Sequence, residues 1–186
     1  MNKNNNDGNS WERQIDEEGA FKRKPTSFHH SISANSPFAP EKDRYHLYVS
    51  YACPWAHRTL IVRQLKGLQD VISVDVVASF LPSTGWSFDS AEEGATGDRV
   101  NHFADLREVY LAADSNYSGT ITVPVLWDKK QKTIVNNESA EIIRLFNSQF
   151  NHLAKNPALA DKTLRFDVIF LAPWSWPRHV RNAFDA

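Results

Sequence analysis

The sequence is poor in cysteine and nearly neutral. It has a single cysteine, Cys53, among 186 residues, and 21 basic residues offset 22 acidic ones. One cysteine excludes an internal disulfide framework and a thiolate-rich zinc site. The balanced charge gives no reason to expect nucleic acid or a membrane as partner. Because no apolar run can span a bilayer and the start lacks a secretory signal, we expect a cytoplasmic protein whose thiol stays free.

Three segments differ in character along the chain. Residues 1–44 are polar, punctuated by prolines and without periodicity, which predicts an extended N-terminal arm over a folded body. Residues 45–150 carry regular patterns and are predicted to form one folded domain. Residues 151–186 contain two tryptophans bracketed by prolines but no sustained amphipathic helix, so we interpret them as a divergent tail.

The central segment alternates strand and helix patterns. YHLYVS predicts a strand, PWAHRTLIVRQLKGL a helix from Pro54 to a stop at Gly67, and VISVDVV a second strand. VNHFADLREVYLAA then predicts a helix with Phe103, Leu106 and Tyr110 at helical spacing. A proline-containing strand (TITVPVLWD), a hairpin strand (KTIV) and a last helix (NNESAEIIRLFNSQF) complete it. The order β-α-β-α-β-β-α predicts an α/β fold.

Cys53 lies between the first strand and the first helix. A thiol there faces unpaired N–H groups and the positive end of the helix dipole, which favour the thiolate. Pro54 suits the first helical position, and His57 and Arg58 follow one turn later with further positive charge. The alternative is a small buried apolar side chain, the commonest fate of a free cysteine. The position favours a reactive residue.

Ala56 occupies the position at which a dithiol oxidoreductase carries its second cysteine. Because the chain has no other thiol, redox chemistry at Cys53 needs a small-molecule thiol such as glutathione as the second partner. The sequence therefore predicts a monothiol mechanism.

Val123-Pro124 opens a strand that should pair centrally. Proline cannot donate to a ladder, so it needs an edge position or an unusual peptide bond. The dipeptide alone favours a trans proline on an edge strand. Together with CPWA and the element order, it favours a cis bond.

The start of the last helix carries Glu138 and Ser139. Helix N–H groups there offer a site for a carboxylate, and Glu138 offers one for an ammonium, as the γ-glutamyl end of glutathione would need. Simple helix capping explains the same residues equally well.

YHLYVSYACPWAHRTLIVRQLKGL, TGWSFD, ITVPVLWDKK and NNESAEIIRLFN together resemble the glutathionyl-hydroquinone reductases, the Xi class of glutathione transferases, and the related omega-like transferases of fungi. The resemblance extends from about residue 19 to residue 157. It implies a thioredoxin-like N-terminal glutathione transferase domain. Because family members continue into an all-helical C-terminal domain, the resemblance also implies a chain in which that domain is largely missing.

The resemblance assigns roles to matching positions. Cys53 matches the nucleophile that takes glutathione from a glutathionyl conjugate as a mixed disulfide, which a second glutathione resolves. Trp86 matches a tryptophan that packs on glutathione; without the resemblance it would be an ordinary loop aromatic. Val123 matches the residue whose backbone pairs with the tripeptide. The full set expected to bind glutathione is Trp86, Thr120, Ile121, Thr122, Val123, Glu138 and Ser139.

Two departures from the family pattern affect these expectations. Bacterial relatives have arginine where this chain has Thr120, and losing a guanidinium contact to a glutathione carboxylate predicts weaker binding. The resemblance also stops near residue 157, so a truncated chain is expected, with a homodimer possible only for a full-length form.

These observations predict a glutathione transferase of oxidoreductase type, which removes glutathione from glutathionyl conjugates that are either of quinone type or small mixed disulfides. Its expected partners are glutathione, as co-substrate, and a small hydrophobic or quinone-type substrate, with no bound cofactor. The alternative is a truncated glutathione-binding module or inactive fragment without turnover. A metal protein is disfavoured because the seven histidines, including His29 and His30, show no ligand spacing.

Overall fold

The computed structural model describes residues 26–79 and 85–156, the single residues 158, 159 and 162, and the backbone of 168–170 and 178–180. The first 25 residues of the predicted arm, residues 80–84 (which include Thr84 of TGWSFD), and most of the predicted tail lie outside the described residues.

A mixed four-stranded sheet forms the centre. Its strands are β1 (Tyr45–Val49), β2 (Ile72–Val76), β3 (Val125–Asp128) and β4 (Thr133–Asn136). The spatial order is β2-β1-β3-β4. β1 pairs in parallel with β2, and β3 pairs antiparallel with both β1 and β4. The predicted α/β fold with a thioredoxin-like order of elements is confirmed.

Helix α1 (Pro54–Leu65) connects β1 to β2, α2 (Leu106–Ala113) connects β2 to β3, and α3 (Ser139–Ser148) follows β4. A short 3-10 helix, Asn151–Leu153, follows. The prediction that Phe103 belongs to the second helix was wrong. Asp105 caps α2, its side chain accepting from the backbone N–H of Glu108 at 3.2 Å, so the helix begins after Phe103.

The proline of the third strand lies just outside the ladder. Val123-Pro124 is a cis peptide bond, as predicted, and β3 starts at the next residue, Val125. The predicted strand therefore begins later than TITVPVLWD suggested, because proline has no N–H to donate. β3 is central in the sheet, so the edge-strand alternative does not apply.

The two faces of the sheet carry different helices. Helices α1 and α3 pack against each other. The ring of Tyr45 meets that of Phe150, just beyond α3, at a centroid distance of 5.7 Å. Since side chains alternate along a strand, His46 and Tyr48 point to the other face, where Tyr48 contacts Phe88 at 5.3 Å.

The described part of the arm follows β4. His30 donates its N–H to Val135 O at 2.9 Å, and the N–H of Asn137 donates to Phe28 O at 3.2 Å. Arg44 forms a buried ion pair with Asp128 at 2.6 Å. These long-range bonds fix residues 26–44 to the sheet.

Beyond α3, the chain returns to the end of α1. The fully buried Lys66 donates through Nζ to Leu159 O at 2.8 Å and Lys162 O at 3.1 Å. Further on, β5 (Val168–Phe170) and β6 (Arg178–Val180) pair antiparallel. None of the helices in the described ranges combines the length and the apolar character needed to cross a membrane.

Candidate active site

Cys53 is the N-cap residue of α1, directly after the turn that leaves β1. Its backbone is extended, with φ −99° and ψ 111°, and Pro54 takes the first helical turn. The Cys53 N–H donates to Ser50 O at 3.2 Å, which closes the turn. The side chain is partly exposed, so the thiol at the helix N-terminus remains accessible to a reagent.

The thiol lies beside the segment that precedes β3. Cys53 Sγ donates to the backbone oxygen of Val123 at 3.8 Å, across 70 residues of sequence. Two positions that the resemblance assigned to the glutathione site are thereby adjacent. A peptide lying along Val123 would pass next to the sulfur.

A buried tyrosine of α2 holds this segment in place. The hydroxyl of Tyr110 donates to Thr122 O at 2.9 Å and accepts from Thr122 N–H at 3.3 Å and from Asn137 Nδ2 at 3.1 Å. Burial raises the pKa of Tyr110 to about 12, so the hydroxyl keeps its proton at neutral pH. Because these bonds end one residue before Val123, they set where its carbonyl lies.

A second tyrosine fixes the beginning of the same segment. The hydroxyl of Tyr117 donates to Thr120 O at 3.0 Å, and its ring stacks on Phe28 at 5.7 Å. Thr120 and Thr122 are partly exposed, whereas Ile121 and Val123 are buried. The threonine side chains are thus the ones on this segment that a ligand reaches.

Arg58 links α1 to the start of α3. Its guanidinium, largely buried, donates to Ser139 Oγ at 2.5 Å and lies 3.7 Å from Glu138 Oε1. The positive charge expected near Cys53 is therefore directed at the predicted γ-glutamyl site. It supplies a cation beside a helix N-terminus, both of which attract a carboxylate.

Glu138 also serves as the cap of α3. Its carboxylate accepts from Ala140 N–H at 3.3 Å and from Ser139 Oγ at 3.4 Å, while its own N–H donates to Asn136 Oδ1 at 2.8 Å. The capping alternative thus accounts for Glu138 in the free chain. Its partial exposure leaves it able to receive an ammonium group as well.

Trp86 stands apart from the other predicted residues in the described hydrogen-bond network. Its carbonyl accepts from Leu106 N–H at 2.9 Å, which ties it to the start of α2, and its side chain is partly buried against the core. The structure thus joins Cys53 with Val123, and Glu138 with Ser139, but shows no bond from Trp86 to either pair within the described residues.

Sequence reasoning missed Tyr110, Asn137 and Tyr117 as positioning residues. Tyr110 was recognised only as a core residue at helical spacing, and Asn137 as part of a helix start. The local pattern carries no signal for the bonds of Tyr110 and Tyr117 to residues 120–122, or for the bond of Asn137 to Tyr110, because all of them depend on tertiary contact. Clusters of three or more potential metal ligands do not occur in the described part of the chain.

The fold and these positions define the chain as a thioredoxin-like domain of glutathione transferase type. The sequence profile of the family described as "Glutathione S-transferase, N-terminal domain" matches residues 52–149, more than half of the chain. The chain belongs to this family.

Relatives within the family confirm the resemblance to the Xi class. The chain is 57% identical over 140 residues to Glutathione S-transferase omega-like 2 of Schizosaccharomyces pombe, covering 75% of this chain and 44% of that protein. It is 54% identical over 143 residues to Glutathionyl-hydroquinone reductase YqjG of Escherichia coli K12, covering 73% of this chain and 44% of that protein.

Solved structures agree with these relatives. The glutathione transferase Xi of Phanerochaete chrysosporium superposes with a TM-score of 0.76 at 52% identity, covering 80% of this chain and 48% of that one. The glutathione-bound structure of Escherichia coli YqjG superposes with a TM-score of 0.66 at 56% identity, covering 68% of this chain and 44% of that one. The chain therefore spans less than half the length of the relatives it matches.

Proposed function

We propose that the chain is a glutathione-dependent thiol transferase that removes glutathione from glutathionyl conjugates, either quinone-type and other small hydrophobic conjugates or small mixed disulfides. The observation that carries the proposal is the lone thiol at the start of α1, 3.8 Å from the Val123 carbonyl. A relative with 54% identity is named a glutathionyl-hydroquinone reductase, and its structure has been solved with glutathione bound.

In the first step, the Cys53 thiolate attacks the sulfur of a glutathionyl hydroquinone. An S–S bond forms between Cys53 and glutathione, and the ring carbon leaves with the electron pair of the C–S bond and takes up a proton. In the second step, the thiolate of another glutathione attacks the mixed disulfide. Oxidised glutathione leaves and Cys53 returns as thiolate, so two thiols have supplied the two electrons.

The remaining residues would bind the tripeptide. The Val123 backbone pairs with its cysteine portion, and Thr120, Ile121 and Thr122 flank it. Glu138 and Ser139 receive the γ-glutamyl end, with Arg58 adding charge for the carboxylate. Trp86 packs on the bound glutathione. No bound cofactor is required, because glutathione itself is the reductant.

The proposal also covers the organisation of the chain, its location in the cell and its oligomeric state. Residues 45–150 form the glutathione-binding domain, residues 1–44 an N-terminal arm, and residues 151–186 a divergent tail. The protein acts in the cytoplasm, where glutathione keeps Cys53 reduced. A homodimer is proposed only for a longer form of the chain.

A second candidate is a glutathione-binding module without turnover. It is favoured by exposed apolar side chains around α1: Tyr51 and Trp55 lie close to Cys53 in the chain and are 56% and 50% exposed, and Ile61 and Leu65 farther along the helix are 42% and 40% exposed. A hydrophobic substrate would meet an open surface there rather than an enclosed pocket.

One experiment separates the candidates. The chain is incubated with glutathionyl-p-hydroquinone and glutathione, released hydroquinone and oxidised glutathione are quantified by chromatography, and the Cys53 adduct is sought by mass spectrometry, with Cys53→Ser as the control. A Cys53 adduct with turnover supports the transferase. An adduct or glutathione binding without turnover supports the module. If the chain shows no adduct, no glutathione binding and no turnover, both proposals are refuted.

A further inference from the structure

Arg58 is buried where helix α1 meets the start of α3. It is 8% exposed, and Ser139, the first residue of α3, is 1% exposed. The Arg58 Nη2 group donates to Ser139 Oγ at 2.5 Å. Hydrogen bonds from a charged donor are shorter and stronger than bonds between neutral groups. The contact therefore fixes the position of the Ser139 hydroxyl.

The Arg58 contact also fixes the direction in which Ser139 donates. A guanidinium carries only donors, whereas a hydroxyl carries one hydrogen and two lone pairs. Ser139 Oγ must therefore accept from Arg58, and its own hydrogen points to another acceptor. Among the described residues that acceptor is Glu138 Oε1, at 3.4 Å. Because O–H···O bonds ordinarily measure about 2.7–2.8 Å, this bond is weak and a better acceptor can replace it.

Glu138 lies close enough to Arg58 to offset its charge in the free chain. Glu138 Oε1 is 3.7 Å from Arg58 Nη2, which is beyond hydrogen-bond distance but within range of electrostatic attraction. An ammonium group that binds Glu138 would take up this negative charge, so the guanidinium would then favour a second anion beside Ser139. A ligand end with both an ammonium and a carboxylate satisfies the two positions together. A neutral carboxamide could accept from Ser139 as well, but without the charge that strengthens the bond.

We propose that Arg58 is a positioning residue that orients the Ser139 hydroxyl as a donor and thereby makes this end of the site selective for a carboxylate over a neutral amide. The inference rests on the proposed binding of the γ-glutamyl end of glutathione at Glu138 and Ser139. Arg58 acts through Ser139 and does not touch the ligand. Removing the guanidinium lets the hydroxyl rotate and removes the positive charge, so the selectivity falls while the rest of the ligand still binds.

The test measures the Kd of two matched ligands on the full chain by calorimetry. One is S-methylglutathione, whose blocked sulfur forms no disulfide with Cys53, and the other is its analogue with a carboxamide in place of the α-carboxylate of the glutamyl residue. We expect the parent chain to bind the carboxylate about tenfold more tightly than the carboxamide, and Arg58→Met to show a preference of about twofold or less. A general loss of structure would weaken both ligands alike, so the ratio of the two Kd values reports on the orientation of Ser139.

Arg63→Met is the matched control. It removes a guanidinium from the same helix, but Arg63 donates to the backbone oxygens of Ile72 at 2.6 Å and Gln69 at 3.0 Å rather than to α3. We expect its Kd ratio to stay within about twofold of that of the parent chain. A parental ratio in Arg58→Met, or an equal fall in Arg63→Met, would overturn the proposal.

If Arg58→Met fails to fold, Arg58→Gln decides the proposal. Its amide both donates and accepts, so it satisfies the buried position without charge and without fixing the direction of the Ser139 hydroxyl. We expect the same fall in the Kd ratio, and a parental ratio would overturn the proposal. A parent chain that binds neither ligand refutes glutathione binding and this inference together. A parent chain that binds S-methylglutathione, with an unchanged ratio in the Arg58 variant, refutes this inference alone.

Discussion

Replacing Tyr110 with phenylalanine tests whether α2 positions the segment beside Cys53. The substitution removes the hydroxyl that donates to Thr122 O at 2.9 Å and accepts from Asn137 Nδ2 at 3.1 Å and Thr122 N–H at 3.3 Å. It keeps the ring, which packs against Phe28 and Tyr117. The change is therefore confined to the hydrogen bonds.

The expected loss in free energy of unfolding follows from the groups that Tyr110→Phe leaves without a hydrogen-bond partner. A typical hydrogen bond contributes about 1 kcal/mol net, and a buried group that loses its partner costs about 1–3 kcal/mol. The Asn137 amide is buried and would lose one of its partners, while Thr122 is partly exposed and can turn to water. We expect the free energy of unfolding to fall by about 2 kcal/mol, which corresponds to roughly 4–8 °C in Tm.

The assay is equilibrium urea unfolding followed by tryptophan fluorescence, together with glutathione affinity by calorimetry. Tyr117→Phe is the control, because it removes the bond to Thr120 O at 3.0 Å and a contact with the exposed Ser27 from a partly exposed side chain. It should cost less than about 1 kcal/mol. We expect Tyr110→Phe also to weaken glutathione binding severalfold. Equal stability losses in the two variants, or an unchanged glutathione affinity in Tyr110→Phe, would refute the positioning role.

Three further predictions follow. Thr120→Arg should tighten glutathione binding about tenfold by restoring a charged contact, and a Kd no lower than that of the parent chain would count against this idea. Gly67→Ala should lower the free energy of unfolding by more than about 1 kcal/mol, because φ at Gly67 is +67° and the added Cβ would lie 2.8 Å from the backbone nitrogen of Asn156. An unfolding curve of the variant that coincides with that of the parent chain would contradict this prediction. Burial alone would raise the pKa of Asp75, but His46 at 3.2 Å and the Arg99 N–H and guanidinium outweigh it, so the pKa of Asp75 lies below its ordinary value. A depressed carboxyl pKa stabilises the fold at pH values above the unfolded-state pKa, and this stabilisation is lost as the pH falls through the folded-state pKa. The difference in free energy of unfolding between the parent chain and Asp75→Asn should therefore narrow below about pH 4 in unfolding curves. A difference that does not depend on pH would contradict this prediction.

Local rules account for the elements that were predicted correctly. Alternating residues define β1, Pro54 and Gly67 bound α1, and the proline at position 124 marks the start of β3. The start of the second helix was predicted too early in the sequence, because Phe103, Leu106 and Tyr110 are spaced as on one face of a helix. The side chain of Asp105 decided the boundary by capping the later start.

The sequence by itself determined the order of strands and helices, the position of the single thiol at a helix start, and the absence of a second thiol that could form a disulfide with it inside the chain. These depend on residues close together in the chain, where periodicity, capping and cysteine count act directly. Tertiary structure alone decided that Arg58 reaches Ser139, that Tyr110 holds Thr122, and that the Cys53 thiol lies beside the Val123 carbonyl. Such contacts join distant residues, and they form only when burial of the sheet faces brings the helices and loops together.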